Sequence, residues 1–121
     1  MAQPDFLKHN LAAQCEDLAG EINKVYQHLP WARKNEVIVR LKRNIHQLAE
    51  EVQKAQTSQS VMTTQTRLRE AISLTHECVP LLSLLLKKVL VSPELHTRWI
   101  ERLTEMDKAL SAWLTGISSK H

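Results

Sequence analysis

His76–Val91 reads HECVPLLSLLLKKVLV, with nine Val or Leu among sixteen positions, a proline in its interior and two adjacent lysines. Residues 79–91 are the most apolar stretch of the chain, but they fall well short of the roughly 20 residues needed to cross a bilayer, and Lys87 and Lys88 interrupt them. The stretch therefore reads as a helix. Val79, Leu81, Leu82, Leu84, Leu85, Leu86, Val89 and Leu90 point in several directions and exceed one core-facing stripe.

On either side, apolar residues recur at steps of three and four, the mark of amphipathic helices. A first helix carries Leu7, Leu11, Cys15, Leu18, Ile22, Val25 and Leu29, and Pro30 disfavours helical geometry at its end. A second carries Val37, Ile38, Leu41, Ile45, Leu48, Val52 and Ala55, then fades into QTSQSVMTTQT, which has no periodic apolar face and predicts the main loop at about 56–64. The third, capped by Thr63 or Thr64, carries Leu68, Ile72, Cys78 or Val79, Leu82, Leu85 and Val89 and runs to about Val91. Ser92-Pro93-Glu94 opens the fourth: a serine to accept an orphan amide proton, a proline preset for the first turn, and an acid at the positive end of the dipole. Its stripe is Leu95, Trp99, Leu103, Met106, Leu110, Trp113 and Ile117, with Glu94 and Arg98 expected to pair across one turn.

The expected helices, about 5–28, 31–56, 64–91 and 93–117, predict an all-α, up-down antiparallel four-helix bundle in one domain of 121 residues. Gly occurs only twice and straight-chain helix formers dominate, in agreement. In such a bundle each helix occupies a corner, so the surplus on the third predicts a homo-oligomer whose interface includes Leu81, Leu84, Leu85 and Leu86.

Little points to catalysis. No glutamate is followed three residues later by histidine, which argues against a di-iron site, and neither the two cysteines nor the histidines are clustered as zinc requires. His76 and Cys78 are two apart on a helix and point away from each other, and Gly20 and Gly116 form no phosphate loop. The expectation is a non-enzymatic protein with no metal and no cofactor. Two isolated cysteines among apolar neighbours suit a reducing cytosol, and the opening MAQPDFLKHN has no apolar run of signal-peptide length, so a cytoplasmic, membrane-free protein is expected.

The charge is mildly positive, +3 from sixteen basic and thirteen acidic residues, but it is unevenly spread. Arg33, Lys34, Arg40, Lys42 and Arg43 crowd the start of the second helix against one acid, Glu36, and with Lys87 and Lys88 they are the candidates for contact with nucleic-acid phosphate, RNA or DNA. The alternative is an ordinary solvated helix face. Trp31 beside them could stack on a base or pack where the second helix begins.

LREAISLTHECVPLLSLLLKKVLVSPEL, with its alanine, acid-Cys-x-x-Leu-Leu segment and short turn, and the ending LSAWLTGI carry a resemblance over about residues 18–117. They resemble a bacterial family of small four-helix-bundle proteins that includes those encoded in 23S rRNA intervening sequences and Avd, the accessory protein of diversity-generating retroelements. The intervening-sequence branch has Asn-Ile-Ala-Glu-Gly after its second helix where this chain reads HQLAEEVQKA, and Trp113 leans toward the Avd branch. The resemblance implies a homopentamer with a basic surface and, for the Avd branch, binding to nucleic acid and to a partner reverse transcriptase.

Overall fold

The structure is a computed structural model; it describes residues 5–30 and 36–119, with side chains for 11–30 and 36–117. Its elements are α1 (Asp5–His28), α2 (Glu36–Thr57), α3 (Val61–Lys87) and α4 (Pro93–Ser119), with no strand among the described residues. Consecutive helices pack side by side and α4 closes back on α1, while the backbones of the diagonal pairs stay apart among the described residues. Gln53 on α2 reaches Glu16 on α1, Arg67 on α3 reaches Glu51 on α2, and His76 on α3 reaches Asp107 on α4, so neighbours run antiparallel. The four-helix bundle expected from the stripes is the observed fold.

Cys15, Leu18, Ile22, Ile38, Leu41, Ile45, Leu48, Val52, Leu68, Cys78, Leu82, Leu85, Trp99, Leu103, Met106 and Leu110 close the core from all four helices. Cys78 and not Val79 holds the α3 stripe, for Val79 is 39% exposed.

Both ends of α3 differ from the sequence expectation. The polar run is largely helical: α2 continues to Thr57 and α3 begins at Val61, which leaves a connection of 58–60. Ser60, not Thr63 or Thr64, is the cap, its hydroxyl accepting from the Thr63 amide at 3.2 Å. The Thr64 and Thr66 hydroxyls donate back to the Ser60 and Met62 carbonyls, so this turn is sustained by capping and local hydrogen bonds without an apolar stripe.

At the other end α3 stops at Lys87, four residues before the expected Val91. The Leu90 amide donates to the Leu85 carbonyl and the Val89 amide to that of Leu86, the pattern of a Schellman turn with Val89 at the left-handed position, φ 58°. That position favours glycine, and a β-branched residue there is strained by about 1–2 kcal/mol. Val89→Gly relieves the strain at some cost in unfolded-chain entropy, so it should stabilise the protein by about 0.5–1 kcal/mol, read as a Tm higher by a few degrees at fixed protein concentration. Pro80 stands on the exposed side of a continuous helix, where water can take up the carbonyl that its missing N–H leaves free.

Candidate nucleic-acid interface

The up-down order puts the end of α1, the start of α2, the end of α3 and the start of α4 at one end of the bundle. The basic cluster of α2 and the pair Lys87 and Lys88, more than forty residues apart in sequence, are thereby brought to the same end. Arg40, Arg43, Lys87 and Lys88 are exposed. Arg33, Lys34 and Trp31 lie outside the described residues.

The cluster on α2 does not act as one face. Lys42 is half-buried and holds its ammonium 4.0 Å from the centroid of the Tyr26 ring on α1, a cation–π contact. Lys42, Arg43 and His46 line a groove of about 570 Å³ between α1 and α2, together with Ala19, Gly20, Asn23 and Val39. The groove continues past Ala19 and His46 into a stretch lined by Glu16, Glu50 and Gln53. It is thus basic toward the start of α2 and acidic further along. Arg40 lies outside it, on the side of α2 where Glu51 meets α3.

The ion pairs among the described residues do not involve Arg40, Arg43 or Lys87; they centre on Glu21, Glu51 and Asp107. Glu21 on α1 accepts from Arg98 at 2.8 Å, from Arg102 and from the indole of Trp99 at 3.0 Å, fastening α1 to α4. In place of the expected Glu94–Arg98 pair, Arg98 donates across the helices to one Glu21 oxygen while Arg102 takes the other. Burial works to raise the Glu21 carboxyl, but the hydrogen bonds from Trp99, Arg98 and Arg102 outweigh it and hold the group below the ordinary glutamate value.

Of the residues expected at a subunit interface, Leu81 and Leu85 lie in the chain's own core, Leu86 is half-buried and Leu84 is 42% exposed. The other exposed apolar residues of this region, Val79 and Val89, face different directions, so the surplus read on this helix shrinks to scattered side chains once the bundle closes. His76 turns outward to Asp107, while Cys78 turns inward with its thiol pushed up to about 12 by burial and then by the charge of Glu77. Such a thiol is protonated and unreactive at neutral pH. Among the described residues no three His, Cys, Asp or Glu side chains are grouped to hold a metal ion, and no helix is long and apolar enough to cross a membrane.

No family model matches the chain, and no curated protein matches it. Its fold is similar to the crystal structure of a protein of unknown function from the S23 ribosomal protein family of Bacteroides thetaiotaomicron VPI-5482. The TM-score is 0.82, with 18% identity over 90% of this chain and 98% of that one.

Proposed function

We propose that this protein is a non-catalytic, self-associating four-helix bundle that binds nucleic acid through the basic end of the bundle. The reading is carried by one observation: antiparallel packing gathers Arg40, Lys87 and Lys88, all exposed, at one end of the bundle, where they outnumber the exposed acids Glu36 and Glu94 at the starts of α2 and α4. Arg33 and Lys34 would extend the same end by their place in sequence, and Lys42 and Arg43 border it from the groove. Contacts of this kind address phosphate and not base edges, so they give affinity without sequence preference.

The finer form of the proposal is an Avd-like pentamer that assists the reverse transcriptase of a diversity-generating retroelement. Its support is the resemblance of LSAWLTGI and of the α3–α4 segment to that branch. A purely structural or protein-binding oligomer of the 23S rRNA intervening-sequence type is the second reading, favoured by the fold shared with the S23-family protein.

Fluorescence anisotropy with labelled single-stranded RNA and duplex DNA at low and moderate salt tests this directly. The wild-type protein should bind, with log affinity falling linearly against log salt. Arg40→Glu with Lys87→Glu should weaken binding at least about tenfold and flatten the slope by about 0.7–0.9 per lost contact. No binding at low salt, or an unchanged affinity and slope in the double variant, overturns the nucleic-acid reading in favour of the structural one.

A further inference from the structure

The groove between α1 and α2 has features that a lone chain leaves without a use. Gly20 sits in the interior of α1, where glycine costs about 0.5–1 kcal/mol relative to alanine, yet a Cβ built there meets nothing within 4 Å. Nothing in the chain itself requires the missing side chain. It is exposed and lines the groove next to Ala19, where small residues let the backbone of another helix come close.

The charges along the groove have a definite order and spacing. Arg43 and Glu50, seven residues apart, occupy one stripe of α2 about 10.5 Å from end to end. On α4 the exposed Glu101 and Lys108 also stand seven residues apart on one stripe, with the opposite order of sign. Glu94 and Glu105 extend the acidic part of that face. Among the described residues none of Glu94, Glu101, Glu105 and Lys108 makes an ion pair.

We infer that the groove between α1 and α2 receives the outer face of α4 from a second copy of this chain, with Glu101 on Arg43 and Lys108 on Glu50. The inference deepens the self-association in the proposed function by naming its surfaces. The sign order requires the incoming α4 to run parallel to α2. Within one bundle α2 and α4 already run parallel, so every copy joined in this way points the same way.

Two consequences follow from the geometry. The contact is heterologous, because the groove and the α4 face are different surfaces; such contacts close into a ring if the rotation from copy to copy closes and run on as a filament if it does not. The two surfaces lie at an angle, as a ring requires: the groove occupies the α1–α2 side, whereas the acidic face of α4 turns toward its α1 side, where Arg98 and Arg102 also lie. In that ring every basic end falls on the same face, so Arg40, Lys87 and Lys88 repeat around an axis and weak phosphate contacts act together.

The test is a charge swap read by light scattering in buffer free of nucleic acid. Wild-type protein at micromolar concentration should be larger than a monomer. Arg43→Glu and Glu101→Arg should each weaken association about tenfold or more, and the double variant should return to the wild-type mass. Glu50→Lys with Lys108→Glu is an independent second pair, and circular dichroism checks that each variant keeps its helices. A wild-type monomer, single variants of unchanged mass, or folded double variants that stay dissociated overturn the interface. An unchanged mass with weakened RNA binding in Arg43→Glu would assign the groove to nucleic acid instead. Association can fail while the RNA titration succeeds, so this inference and the nucleic-acid reading stand or fall separately.

Discussion

Replacing Trp99 by alanine should lower the stability of the protein by about 4 kcal/mol, a large part of the roughly 5–15 kcal/mol available to a domain of this size. Trp99 is the largest fully buried side chain, so truncation leaves a cavity between α1 and α4, the neighbouring pair with the thinnest contact among the described residues. The indole also donates to Glu21, which separates volume from hydrogen bonding. Trp99→Phe keeps most of the ring and loses the donor, and it should cost about 1–2 kcal/mol. Urea unfolding at fixed protein concentration, with the slope unchanged, checks both values; a Trp99→Ala cost below about 2 kcal/mol would mean that the α1–α4 seam can collapse around the gap.

The same cluster predicts how the protein responds to acid. The Glu21 carboxyl is lower in the folded state than in the unfolded chain, so its contribution is complete above the ordinary glutamate value and is lost as pH falls through the range below it. Trp99→Phe removes one of the three donors that lower it, and its stability should fall less steeply across that acid range.

The four stripes were legible because each needs only the residues of one helix. Leu11, Cys15, Leu18 and Ile22 on α1, and Trp99, Leu103, Met106, Leu110, Trp113 and Ile117 on α4, are buried as their spacing requires. The Glu21 cluster was not legible, since its partners lie 77 and 81 residues away and only the packing of α1 on α4 joins them. The ends of α3 were misread for local reasons: side-chain hydrogen bonds carry a helix through a polar run, and a valine takes a turn position that glycine normally marks. The basic candidates were legible as a cluster in sequence. Their division between an exposed end and a groove depends on which face of α2 meets α1.

Glu50 and Glu51 show the same limit at the scale of one residue. They are adjacent acids in sequence, but a rotation of about 100° per residue leaves Glu50 exposed and turns Glu51 into the seam between α2 and α3, with a side chain only 6% exposed. There it accepts from Arg67 at 3.2 Å. Arg67→Ala leaves that carboxylate buried without its cation and should destabilise the protein by about 2–4 kcal/mol; the lower part of that range is favoured because Arg67 is 38% exposed and water can enter its place. Replacing both partners by apolar side chains of similar length, Glu51→Leu with Arg67→Met, removes the desolvation cost along with the attraction. The double variant should therefore lie within about 1 kcal/mol of wild type, and the two substitutions should couple strongly in a double-mutant cycle. If Arg67→Ala costs less than about 0.5 kcal/mol, Glu51 is hydrated in the folded protein and the pair is a surface contact; if the double variant is as unstable as the single, the seam depends on the ion pair itself.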